Sequence, residues 1–143
     1  MQRPSGRLLV VDASIFGCFA ESEHLGEALE LLGKMLNNCH SIVLDYDEMV
    51  FVEYRRFFDA AKFLHKWYRE MLSKGKIIYR PVQDLTLSFY LSSSDKRLVD
   101  LAASTPDRIV ITVDSDLTDK KMHDDFVSRG ISILDFRDAC QKL

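Results

Sequence analysis

Glycine and proline are scarce, with 6 and 3 in 143 residues. No stretch reads as a long flexible linker, so residues 1–143 are expected to form one compact domain. Cysteine is also rare, and Cys18, Cys39 and Cys140 stand far apart. An odd, dispersed set supports neither a disulfide framework nor a zinc knuckle, and it fits a reducing, cytoplasmic setting. Long apolar runs are missing: nothing approaches the roughly 18 residues of a membrane span, and the run before Asp12 is too short for a signal peptide. An excess of positive charge is missing as well, the net charge being −3. That counts against a simple polyanion binder, unless the carboxylates hold cations that reverse the local field. What remains, 47% hydrophobic and 29% charged residues, is the composition of an ordinary globular chain rather than a disordered one.

Strand and helix patterns alternate. Arg7-Leu-Leu-Val-Val-Asp12 is a continuous apolar run closed by an acid, the pattern of a strand buried on both faces of a parallel sheet. His24 to Asn38 carries apolar residues at helical spacing. Ser41-Ile-Val-Leu44 reads as a second strand, Asp45 to Ser73 as a long helix with a possible central break, ended by Lys74-Gly75, and Lys76-Ile-Ile-Tyr79 as a third strand. Arg80 to Ser94 carries no readable pattern. Ser92-Ser-Ser94 looks like a cap for a helix that Thr105-Pro106 ends. Arg108 to Asp114 is a fourth strand closed by an acid, Asp119 to Ser128 a helix, Gly130 to Leu134 a fifth strand, and a short helix finishes the chain. Such alternation predicts a parallel sheet covered on both faces, with ligands beyond the carboxyl ends of its strands.

Four acids stand out against that frame. Asp12 and Asp114 close strands, and each could equally cap a following helix or turn. Glu53 sits on an apolar helical stripe with Met49, Val50 and Phe57. A buried carboxylate there needs a cation or an arginine, Arg55 and Arg56 being the nearest in sequence. Asp95 opens a helix, where the helix dipole alone favours an anion. Asp100, on the same helix, reads as solvated. Oxygen-only ligands gathered at one crevice suit Mg²⁺ or Mn²⁺ and hence phosphodiester hydrolysis. His24, His40, His65 and His123 show no paired ligand spacing.

Leu9-Val-Val-Asp12-Ala-Ser-Ile-Phe16, Glu53-Tyr-Arg-Arg56, Asp95-Lys-Arg-Leu-Val-Asp-Leu-Ala102 and Ile111-Thr-Val-Asp114-Ser-Asp116-Leu117 together resemble the PIN-domain family, in its order and across nearly the whole chain. The resemblance implies a three-layer α/β/α sandwich with a five-stranded parallel sheet. It implies endonucleolytic cleavage of RNA, less often DNA, with Mg²⁺ or Mn²⁺, leaving a 5′-phosphate and a 3′-hydroxyl; single-stranded RNA is the expected substrate. By position, Asp12, Glu53, Asp95 and Asp114 match the catalytic, metal-binding acids, Asp116 a further metal-binding acid, and Ser14 and Thr112 the hydroxyls beside the metal. The family includes toxins of toxin–antitoxin pairs, RNA-processing enzymes and inactive members, so an antitoxin protein is a possible partner and a non-cutting RNA- or protein-binding module is the alternative. A homodimer is also implied, and seven large apolar residues between Phe51 and Tyr68 exceed what one helical stripe needs.

Two other phosphate chemistries share the alternating pattern and fit less well. A phospho-receiver domain needs an acidic pair after its first strand and an Asp closing its third, where this chain has Val11-Asp12 and Tyr79-Arg80. A haloacid-dehalogenase-like phosphatase needs Asp-x-Asp, and here Ser14 takes the second position. Among the basic residues, Lys96 and Arg97 beside Asp95 are the best placed for phosphate. Arg55, Arg56, Lys62, Lys66 and Arg69 read mainly as a solvated helix face, and Trp67 and Tyr68 as packing residues rather than a base-stacking platform.

Overall fold

The computed structural model describes residues 6–17, 25–87 and 90–143, so Cys18, Glu23 and His24 lie outside the described residues. The elements run β1 (Leu8–Val11), α1 (Ser14–Gly17), α2 (Leu25–Asn37), β2 (Ser41–Asp45), α3 (Met49–Ala60), α4 (Lys62–Ser73), β3 (Ile77–Arg80), α5 (Ser93–Ala103), β4 (Ile109–Ile111), α6 (Ser115–Thr118), α7 (Lys120–Ser128), β5 (Ser132–Leu134) and α8 (Phe136–Lys142). The sheet order is β3-β2-β1-β4-β5, and every pairing is parallel. The continuous apolar runs need cover on both faces, and they have it: Leu9, Val10, Val11, Ile42, Val43, Leu44, Val110 and Ile111 are all 0% exposed. Right-handed crossovers put α2 and α4 on one face and α5 and α7 on the other, while α8 returns to α2 and receives a hydrogen bond from Lys34 Nζ at the Cys140 carbonyl. This is the three-layer fold expected from the sequence.

The expected long helix is two helices. Ala61 is extended (φ −135°, ψ 101°), and α4 folds back beside α3. Ring contacts from Tyr68 to Phe51 at 5.3 Å and to Phe58 at 5.2 Å hold the hairpin closed. The bend gives the surplus apolar residues two faces to fill: Phe58, Leu64, Trp67 and Tyr68 are buried, and Phe51 and Phe57 are half-buried. Trp67 Nε1 donates to the Leu32 carbonyl at 3.0 Å, which makes it a core residue. Of that set Phe63 alone is markedly exposed, so most of the apolar excess that pointed to a homodimer is absorbed within the chain. Gly75, at φ 70°, ends the hairpin in the left-handed region, where a side chain is disfavoured.

Residues 81–87 have no regular structure, yet they are fixed. Gln83 N donates to the Asp100 carbonyl at 3.0 Å, and Leu85 N to Asp100 Oδ1 at 3.0 Å. Asp100 is therefore buried and structural, a correction to its reading as solvated: with no strand to join, the segment finds its acceptors on α5. Among the described residues no helix is long and apolar enough to cross a membrane.

Candidate metal centre

The chain leaves β1 toward β2 and β3, then returns through α5 to β4 on the opposite side of β1. The two outward paths separate at the carboxyl ends of β1 and β4, which opens a crevice there. Asp12 follows β1 directly, and its N–H donates to the Ile111 carbonyl at the end of β4, at 2.8 Å. Asp114 stands three residues beyond β4 rather than closing it, because Thr112 to Asp114 leave the ladder to start α6. Asp95 enters from above in the first turn of α5, whose cap is Ser92: its Oγ accepts from Asp95 N at 3.3 Å.

Carboxylate oxygens of Asp12, Asp95 and Asp114 all lie within 4.8 Å of one another. Asp12 and Asp95 are 7% and 6% exposed. No lysine or arginine forms a salt bridge with any of the three among the described residues. Burial and mutual repulsion act together on Asp95. Burial, the charge of Asp114, a hydrogen bond shared with it and the charge of Asp12 push the Asp95 carboxyl up to about 6, against an opposing hydrogen bond from Ser92.

The two predicted hydroxyls orient Asp12. Thr112 Oγ1 donates to Asp12 Oδ2 at 2.7 Å, and Ser14 Oγ donates to the same oxygen at 3.0 Å. Each hydroxyl also accepts a backbone N–H, Asp114 to Thr112 at 3.0 Å and Val113 to Ser14 at 3.2 Å. Those bonds fix both hydroxyl protons toward the carboxylate and tie the β1 and β4 ends together. Behind them, the buried Tyr54 hydroxyl donates to the Val11 carbonyl, anchoring α3 to the end of β1.

The remaining sequence candidates fall around this trio rather than in it. Glu53 lines the wall of a cleft of about 230 Å³ with Met49, Val50, Ser93, Ser94, Arg97 and Leu98. It is outside the close group, yet burial first and the Asp12 charge second raise its carboxyl pKa, with Arg56 opposing. Asp116 is exposed, and its backbone N–H donates to Asp114 Oδ1 at 2.9 Å, so its own carboxylate does not join the trio. Lys96 is already engaged: its Nζ contacts Asp84 Oδ1 at 2.6 Å and Asp100 Oδ2 at 2.9 Å, and these bonds raise its pKa. A phosphate would have to displace both carboxylates. Arg97 Nη1 donates to Asp45 Oδ2 at 3.1 Å, while its Nε and Nη2 have no partner among the described residues and the side chain faces the cleft.

Asp45 is the residue that the sequence reading passed over. It closes β2, is buried, holds Arg97 and accepts from Met49 N at 3.2 Å and Val50 N at 3.1 Å, capping α3. The signal was present: Ser41-Ile-Val-Leu-Asp45 is a third apolar run closed by an acid.

An oxygen-only set of acids, two buried and one half-buried, close together and lacking a counter-cation among the described residues, fits a hard divalent ion such as Mg²⁺ or Mn²⁺. No protein-family model, curated protein or solved structure matches the chain.

Proposed function

We propose that the chain is a Mg²⁺- or Mn²⁺-dependent endoribonuclease that hydrolyses phosphodiester bonds of RNA, single-stranded RNA foremost, as its resemblance to the PIN-domain family implies. The observation that carries the reading is the convergence of Asp12, Asp95 and Asp114 at the switch point between β1 and β4. When bound, a divalent ion supplies charge against the phosphate and makes a neighbouring water acidic enough to attack near neutral pH. Asp12, Asp95 and Asp114 hold the ion. Ser14 and Thr112 keep Asp12 aimed, so the site needs no rearrangement to receive it. Glu53, on the cleft wall and with raised proton affinity, is placed to hold a water and take its proton. Arg97, held by one nitrogen, has a free guanidinium edge for phosphate. Asp116 assists from the rim through water, and Lys96 serves the fold.

The same reading carries a cytoplasmic setting, a role as a toxin with an antitoxin partner or as an RNA-processing enzyme, and a homodimer, for which exposed Met49, Val52 and Phe63 on the hairpin are the remaining support. One observation favours the non-cutting alternative: Glu53 stands outside the close group of acids. The test incubates the purified protein and Asp12→Asn with mixed single-stranded RNAs and Mn²⁺. Cleavage by the unaltered protein alone, leaving 5′-phosphates, is expected. Equal cleavage by both points to a contaminant. No cleavage by either, with RNA still bound, selects the non-cutting module.

A further inference from the structure

The cations of this acidic chain are unevenly satisfied. Lys34, Lys96, Arg97, Arg129 and Arg137 each have a carboxylate partner. On the hairpin, by contrast, Arg55, Arg56, Lys62, Lys66 and Arg69 are exposed and form no salt bridge or hydrogen bond among the described residues. Lys62, Lys66 and Arg69 recur at one-turn spacing, so they lie along about 10 Å of one face of α4. With His65, Glu70 and Ser73 they line an open groove.

Aromatic surface accompanies the charge. His65 is exposed within the groove, its ring stacked on Phe58 at 6.1 Å and 12° and so held in a fixed orientation. Cations interleaved with presented rings are what single-stranded nucleic acids require: backbone neutralisation from the first, stacking from the second. An acidic protein segment would use the charges but has no need of the rings. A membrane surface would need a free apolar face, and the α4 residues opposite the stripe, Leu64, Trp67, Tyr68 and Met71, are buried in the core.

We propose that the outer face of the α3–α4 hairpin is a docking track for single-stranded nucleic acid, with Lys62, Lys66 and Arg69 on phosphates and His65 under a base. The track stands on the charge and the ring of this face, and not on the nuclease reading. It also answers the charge objection: an acidic chain would contact a polyanion through the local cationic strip on α4.

The test measures binding of fluorescent oligouridylate, about 24 nucleotides long, to the full chain bearing Asp12→Asn, in EDTA and across a salt series. Adding Lys62→Gln, Lys66→Gln and Arg69→Gln should weaken binding at least tenfold and reduce the slope of log affinity against log salt by about 2, three contacts at roughly 0.7 each. His65→Ala should cost about fivefold or more with the slope unchanged. Unchanged affinity and slope, or displacement by polyglutamate as readily as by RNA, overturns the track. A changed slope in a protein that cuts no RNA sinks the nuclease reading and leaves the track standing.

Discussion

Asp95→Asn should make the metal-free protein more stable at pH 8 and less responsive to metal. In the unfolded chain this carboxyl titrates at its ordinary value of 3.8, and in the fold at about 6. Below about pH 4 both states carry the proton. Between about 4 and 6 only the folded state keeps it, so apo stability falls as pH rises through that window and levels off above it. A difference of this size corresponds to roughly 3 kcal/mol at pH 8, which water in the cleft brings down to about 2. Removing the negative charge from the first turn of α5 costs about 0.3–1 kcal/mol of helix-dipole interaction, which partly offsets the gain. The Ser92 cap is unaffected, because it receives the backbone N–H. The net expectation is a gain of about 1 kcal/mol, a rise in melting temperature of about 3–4 °C for a chain of this size. Thermal melts in EDTA from pH 4 to 8 should show the variant above the parent at pH 8 and the curves converging toward pH 4. Mn²⁺ at a hundredfold excess over its dissociation constant should raise the parent by about 2.7 kcal/mol and the variant by much less. A variant that is less stable at pH 8, or whose pH profile parallels that of the parent, would refute the repulsion argument.

Thr112→Val removes a donor to Asp12 and the acceptor for Asp114 N together. It should destabilise the protein by about 1–3 kcal/mol by denaturant unfolding and weaken metal affinity about tenfold or more by titration calorimetry. Asp45→Ala strips the cap from α3 and leaves half-buried Arg97 with only the exposed Asp47, at 3.7 Å, as a partner. A loss of about 2–4 kcal/mol is expected, and Asp45→Asn, which keeps an oxygen for Val50 N, should recover part of it.

The apolar runs were legible because burial on both faces leaves no alternation to decode, and β1, β2 and β4 fall within them. The same runs located Asp12 and placed Asp114 near its crevice. What resisted was whatever depends on partners distant in sequence. Asp45 carries the same run-then-acid signature as Asp12, but whether such an acid caps a helix or faces a crevice depends on which element crosses above it, here Arg97 on α5. Lys96 and Asp100 are an i,i+4 pair that sequence alone shows as solvent-facing, and residues 81–87 settle over them. The bend at Ala61 has no glycine or proline to announce it. It is set by the packing of Phe51 and Phe58 against Tyr68.

The most direct test of the account is a crystal grown with Mn²⁺ and measured at a wavelength where manganese scatters anomalously. One anomalous peak is expected between the carboxylates of Asp12, Asp95 and Asp114, with oxygen contacts at about 2.0–2.3 Å, and it should vanish in Asp12→Asn. Carboxylates left without a peak at saturating Mn²⁺, or a peak elsewhere on the protein only, would contradict the claim that these three acids form a metal centre.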